Sequence, residues 1–228
     1  MPDAGRIATF LSFNPSKTPF YSSRTIGEGK VGGKARGLLF AHEILLQSSN
    51  PILTQVSIPE SYFLATGVFD AFLAINDLQG FAESGRDYTE IEAAFLRGSF
   101  SVEVRERLGH LLREFDCPLA VRSSSLLEDN LKYSFAGKYL TTFVSNRGDL
   151  ETRLAALEQA VKRVLASTFA PNAVEYRRKH GLHGDKMAVL IQRLVGKDRG
   201  GYFYPETAGV GFSKTTGAGP NGLRKKMA

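Results

Sequence analysis

The chain holds a single cysteine, Cys117, so no disulfide closes within it. Four scattered histidines, His42, His110, His180 and His183, beside that one thiol do not supply the three or four ligands at short paired spacings that a common zinc site needs. No structural metal is expected. Long apolar runs are also missing: none approaches the roughly 18 residues that cross a bilayer, and residues 1–10 lack the basic stretch and long apolar centre of a secretory signal. The expected location is the cytoplasm, with no membrane partner. What remains is the composition of an ordinary globular chain, 43% hydrophobic, 11% aromatic and 23% charged, which excludes wholesale disorder, collagen-like repeats and disulfide-framed mini-proteins. At 228 residues such a chain buries about 70% of its unfolded surface, so core size is no obstacle. The net charge of +6 raises the question of nucleic acid. Lys214, Arg224, Lys225 and Lys226 supply four of those six charges from the end of the chain, and the basic residues are not interleaved with stacking aromatics, so no nucleic-acid partner is expected.

Residues 1–24 mix proline, serine, threonine and aromatics without a period and read as a leader. From 34 to 47 (KARGLLFAHEILLQ) the apolar residues Ala35, Leu38, Leu39, Leu45 and Leu46 recur near helical spacing behind Gly27, Gly29, Gly32 and Gly33, a glycine-rich turn feeding a helix. Pro59 opens an apolar strand-like piece, ESYFLAT, and residues 67–78 and 102–115 read as helices. Leu119, Ala120 and Val121 read as a buried strand that stops at Arg122-Ser123-Ser124-Ser125, a polar site at a strand end. Residues 138–144 are rich in Tyr, Thr, Phe and Val and read as a strand. Asp149 caps a helix with Leu150, Leu154, Leu157, Val161, Val164 and Leu165 on one side, and residues 171–180 form another. MAVLIQRLV, residues 187–195, reads as a central strand covered on both faces and interrupted by Gln192 and Arg193. An aromatic cluster, Tyr202, Phe203 and Tyr204, and a short strand over 209–212 follow. Beyond them residues 213–228 offer no period. Strands separated by helical segments make this an α/β or α+β chain.

Three groups of residues suit chemistry on an anion. Gly27-Glu28-Gly29-Lys30-Val31-Gly32 satisfies G-x-G-x-x-G. The dinucleotide reading also wants an apolar strand before it and an acid about 20 positions on, whereas residues 21–25 are polar and residues 48–56 contain no acid. The P-loop reading fails because Glu28 stands where a glycine is required and Ala35 follows Lys34. What remains is an anion site of backbone amides with Lys30 and Lys34 at a helix start, against a plain turn with solvated lysines. Arg122 with three hydroxyls suits a polyanion, since guanidinium offers a planar fork to phosphate; the bland alternative pairs Arg122 with Glu128 or Asp129 on the surface. A flexible loop at 134–137, followed by Thr141, has the composition either to fold over phosphates or to make an ordinary hairpin turn. Gln192, an amide in an apolar strand, is either satisfied by neighbouring backbone or offers a donor and an acceptor to a purine edge.

The string AVRSSSLLEDNLKYSFAGKYLTTFVSN, residues 120–146, resembles the signature of the ATP-binding domain of the pyruvate phosphate dikinase and phosphoenolpyruvate synthase family, which rifampicin phosphotransferases share. GGKARGL at 32–38 is similar to that family's first nucleotide motif, and VKRVLASTFAPNAVEYRRKHG followed by MAVLIQRLV keeps its order, so the resemblance covers about residues 25–195. It implies an ATP-grasp-like fold: a leader over 1–24, a first subdomain over 25–192, and the start of a second subdomain with an irregular basic tail over 193–228. It implies that Lys34 and Arg122 bind ATP phosphates, that Gly137 and Thr141 belong to a mobile loop over the triphosphate, and that Gln192 contacts the nucleotide. It implies magnesium as well, with its ligands in a C-terminal part that has no counterpart here, and transfer of a phosphoryl group to a histidine on a swivelling domain and then to pyruvate or a related acceptor. None of the four histidines stands in the family's phosphohistidine motif, so phosphohistidine and pyruvate-binding domains are expected as partners in cis or in trans. The glycine-rich basic end then reads as a truncation or an altered frame, and the chain alone is expected to be inactive. The alternative is a non-catalytic module that senses nucleotide or docks on a partner, or on a second copy, through apolar residues exposed around 187–212.

Overall fold

The computed structural model describes residues 9–10, 12–129, 135 and 137–210. The chain divides into two compact units, residues 1–194 and 195–228.

In the first unit, five strands form one sheet in the order β1-β2-β5-β3-β4. They are β1 (Thr25–Ile26), β2 (Ser61–Leu64), β3 (Leu119–Ser125), β4 (Thr141–Val144) and β5 (Met187–Arg193). β1 runs parallel to β2, and the other pairings are antiparallel. β5 takes the centre, as its unbroken apolar run predicts: Met187–Gln192 are all buried, which only a strand covered on both faces achieves. Eight helices among the described residues dress the sheet: α1 (Pro19–Arg24), α2 (Gly32–Gln47), α3 (Thr66–Ile75), α4 (Gln79–Glu83), α5 (Tyr88–Arg97), α6 (Val102–Glu114), α7 (Leu150–Ala166) and α8 (Pro171–Lys179).

Alternation along the strands splits the core in two. Tyr62, Leu64, Leu119, Val121, Val144, Met187, Val189 and Ile191 join the larger core, with Phe69 and Phe72 of α3, Phe95 of α5, Leu108 and Leu111 of α6, and Leu157 and Val161 of α7. Phe63 and Leu190 turn to the other side and meet Val31, Ala35 and Leu39 under α2. The helices start where the sequence supplies an acceptor. The Asp149 carboxylate accepts from the Thr152 amide at 2.8 Å and the Ser101 hydroxyl from the Val104 amide at 3.3 Å.

Several segments differ from the sequence reading. β3 does not stop at Arg122 but continues through Ser125, and its three serines are fully buried. β4 begins only at Thr141, after a turn at Gly137–Lys138. The short β1 joins Thr25, the last residue of the polar stretch 21–25, to the buried Ile26, and α4 and α5 occupy 79–97, which the sequence reading leaves without a helix. Of the apolar residues expected to be exposed around 187–212, Met187–Ile191 are buried within the first unit, whereas Val195, Tyr202, Tyr204 and Val210 are exposed.

The second unit contains a hairpin of β6 (Lys197–Arg199) and β7 (Tyr202–Tyr204). Its two-residue turn, Gly200-Gly201, has φ of 69° and 95°, a backbone that glycine adopts without strain. Lys197 and Arg199 both reach Glu206, at 3.0 and 3.5 Å. Gly209 and Val210 are not strand. The rest of the strand expected at 209–212, and the basic tail, lie outside the described residues. No helix among the described residues is long and apolar enough to cross a membrane.

Candidate nucleotide site

The glycine-rich turn is shaped by close approach. Gly27, Gly29 and Gly32 have φ of 75°, 106° and 71°, and a Cβ on Gly32 would lie 1.7 Å from the Ser124 carbonyl oxygen. The amides of Thr66 and Gly67, which open α3, donate to the carbonyls of Lys30 and Glu28 at 2.9 and 2.8 Å. The turn thus satisfies the amino end of α3 with its own carbonyls and leaves those two amides no anion to bind. At the start of α2 the N-cap residue Val31 has no side-chain acceptor. Ser124 supplies one a turn later: its hydroxyl accepts from the Ala35 amide at 3.1 Å and donates to the Val31 carbonyl at 2.7 Å.

The other two serines of β3 are also engaged inside the protein. The Ser125 hydroxyl lies 2.7 and 2.8 Å from the two oxygens of Asp185, which also accepts from the Tyr139 hydroxyl. Burial, with the Asp185 carboxylate beside it, pushes the Tyr139 phenol well above its ordinary range. Ser123 accepts from the Lys34 ammonium at 3.2 Å. The polar run that reads as three free hydroxyls is therefore an internal lacing of β3 to α2, to Asp185 and to Lys34.

Arg122, Thr141 and Gln192 are brought together. Arg122 lies opposite Thr141 in the β3–β4 register and opposite Leu190 in the β3–β5 register, which puts Gln192 two residues along on the same face. The Arg122 guanidinium donates to the Gln192 amide oxygen at 3.1 Å, and the Gln192 amide nitrogen donates to Ser61 at 3.1 Å. Gln192 is 9% exposed, and among the described residues one of its N–H groups and one lone pair have no partner. Thr141 is exposed, and Phe143, on the same face by alternation, is 65% exposed. This end of the sheet face, over β3 and β4, is open and carries one cation, a hydroxyl, an amide and an apolar ring.

Among the described residues, neither Lys34 nor Gly137 hydrogen-bonds to that trio. Gly137 sits in the exposed turn before β4 with φ of 70° and open space where a Cβ would be. The Lys34 ammonium contacts Ser123, the residue after Arg122, and pairs with the Glu128 carboxylate. Arg122 shares its strand face with Ser124, whose hydroxyl bonds the Ala35 amide, and with its cross-strand partner Leu190 under α2, so α2, which carries Lys34, covers the same side of the sheet as Arg122. The sequence reading offered Glu128 to Arg122; the structure gives it to Lys34. Glu128 has 9% side-chain exposure, and burial outweighs the Lys34 cation and holds its carboxyl above the ordinary carboxylate range. Asp185 and Tyr139 were not anticipated, because nothing in their local pattern distinguishes them from solvated residues. Beside the turn, Asn14, Tyr21, Lys30 and Arg36 line a cavity of about 360 Å³.

Magnesium binds through oxygen ligands. At a nucleotide it takes one or two carboxylates together with phosphates and waters, and among the described residues no three His, Cys, Asp or Glu side chains group together.

The chain matches the family described as pyruvate phosphate dikinase, AMP/ATP-binding domain, over residues 28–227 and belongs to it. It is 30% identical over 150 residues to the phosphoenolpyruvate synthase of Deinococcus radiodurans, covering 64% of this chain and 17% of that protein. It is 28% identical over 224 residues to the phosphoenolpyruvate synthase of Neisseria meningitidis serogroup B, covering 88% of this chain and 26% of that protein. It is 34% identical over 96 residues to the rifampicin phosphotransferase of Streptomyces sviceus, covering 41% of this chain and 9% of that protein. The chain thus spans about a quarter or less of the length of these relatives. The mixed sheet and its helices are those of an α/β AMP/ATP-binding domain of this family.

Proposed function

We propose that the chain is the ATP-binding part of a phosphoenolpyruvate synthase-like phosphotransferase, and that the nucleotide lies on the open end of the sheet face that carries Arg122, Thr141 and Gln192. In this reading Arg122 takes phosphate oxygens through its planar fork, and the Thr141 hydroxyl donates to another. Gln192 holds the guanidinium in place with its carbonyl while its remaining N–H stays available to the ligand. Lys34 supplies a second cation from the start of α2, and the loop around Gly137 closes over the phosphates. Residues 193–228 begin the second half of an ATP-grasp-like clamp. A histidine on a swivelling domain accepts the phosphoryl group and passes it to pyruvate or a related acceptor. Such transfer depends on positioning and on cations that offset developing charge. Magnesium neutralises phosphate charge when bound; the described residues of this chain contribute the arginine, lysine and hydroxyl contacts.

The register that joins Arg122, Thr141 and Gln192 is the observation that carries the reading. Calorimetric titration with ATP tests it. Arg122→Ala is expected to weaken binding at least about tenfold, since one charge-assisted bidentate contact is worth about 1.5–3 kcal/mol. An unchanged affinity in a folded Arg122→Ala protein would remove the phosphate from this face.

A further inference from the structure

Glu128 closes the 3-10 turn Leu126–Asp129 behind β3 and keeps 9% side-chain exposure. A carboxylate at that depth persists where a cation or donors surround it. One of its oxygens accepts from Lys34; the other, Oε2, is buried with no hydrogen-bond partner among the described residues. Asp185 is the other carboxylate that acts on it and pushes its carboxyl in the same direction as burial does.

An ammonium carries three N–H donors. Lys34 commits one to Glu128 and one to the Ser123 hydroxyl at 3.2 Å; its side chain is 32% exposed, and the third donor has no acceptor among the described residues. Exchanging Glu128 for a phosphate would strand a buried carboxylate, which costs more than a single charge-assisted hydrogen bond returns. Keeping Glu128 in place avoids that cost, and the rotamer freedom of the lysine is then lost on folding instead of on ligand binding.

We propose that Glu128 is a positioning residue: with the Ser123 hydroxyl it holds the Lys34 ammonium so that its remaining N–H meets a phosphate oxygen of the nucleotide. This rests on the reading of Lys34 as a phosphate ligand. It is tested by titrating the full chain and its variants with ATP and with adenosine, which lacks phosphates. Glu128→Ala is expected to weaken ATP about tenfold, the worth of one loosened charge-assisted bond, and to leave adenosine unchanged. Glu128→Gln, whose amide oxygen still accepts from the ammonium, is expected to restore ATP binding to within about threefold of the parent. In a Lys34→Met background, Glu128→Ala is expected to cost nothing further. The proposal is overturned if Lys34→Met weakens ATP while Glu128→Ala does not, or if Glu128→Ala weakens ATP and adenosine alike. If Lys34→Met itself leaves ATP affinity unchanged, the underlying reading of Lys34 fails and this role falls with it. Should Glu128→Ala not fold, Glu128→Asp, one methylene shorter, is expected to weaken ATP selectively, and an equal loss for both ligands overturns the proposal in its place.

Discussion

Replacing Lys34 by Met removes the cation that, among the described residues, pairs with Glu128, while keeping most of the aliphatic stem. Removing one partner of a fully buried ion pair costs about 3–5 kcal/mol, because the other charge is left uncompensated. Lys34 retains 32% side-chain exposure, so solvent screens part of this and the expected loss is about 2–3 kcal/mol at pH 7.5. In a unit of this size that lowers the melting midpoint by about 5–10 °C. The pH dependence has a definite sign. Glu128 has a folded pKa raised by burial, so its contribution to stability is complete below its unfolded pKa of about 4.3 and is lost as pH rises through the folded value. Without Lys34 that folded value rises further. The deficit of Lys34→Met is therefore largest at neutral pH and shrinks toward pH 5, and Lys34→Met/Glu128→Gln recovers most of it at every pH. Urea denaturation followed by circular dichroism from pH 5 to 8 reads all three. A Lys34→Met protein within about 0.5 kcal/mol of the parent at pH 7.5 refutes the reasoning, as does a deficit that does not change with pH.

Gly32→Ala is expected to abolish folding or to cost more than about 4 kcal/mol in chemical denaturation, since its Cβ would meet the Ser124 carbonyl at 1.7 Å from a positive φ. Asp185→Asn keeps one acceptor for Ser125 and Tyr139 but loses the charge facing Arg177 at 3.9 Å; a loss of about 2–4 kcal/mol in the same measurement is expected, and an unchanged midpoint would show that the network contributes nothing. Asp149→Ala is expected to lower the melting temperature at pH 7. The Thr152 amide holds the Asp149 carboxyl below its ordinary range, so the contribution is present above the unfolded pKa and disappears as pH falls through the folded one. A difference from the parent that persists at pH 2 would contradict the cap.

The elements with strong local signals were legible in the sequence: α2 and α7 from apolar spacing, β5 from an unbroken apolar run, and the start of α7 from Asp149. The extent of β3 was not. Serine has weak strand preference, and what keeps Ser123, Ser124 and Ser125 in a buried strand is a set of partners far along the chain, Lys34, Val31 and Asp185. The same applies at the candidate site. The meeting of Arg122 with Gln192 depends on the register of two strands 70 residues apart, and no local pattern encodes register across that distance. Glu128 was visible as a charged neighbour of the arginine, but which cation it takes is decided by how α2 lies against the turn behind β3. The helix α4 has only five residues, too few to show a period, whereas α5 does carry sequence signals, an Asp87 cap and the buried Ile91 and Phe95 four residues apart.

The place of β5 at the middle of the sheet has a consequence during synthesis. β2 and β3 each pair with β5 and not with one another, and Ser61 waits 131 residues for Gln192. At 5–20 residues per second the ribosome takes on the order of ten seconds to cover that distance. Through that interval the nascent chain carries two half-sheets with bare edges, each a template for unwanted strand addition. Emergence of Met187–Arg193 closes both inner edges at once and leaves β1 and β4 as the outer edges of the sheet, so the demand for chaperones is greatest just before that step.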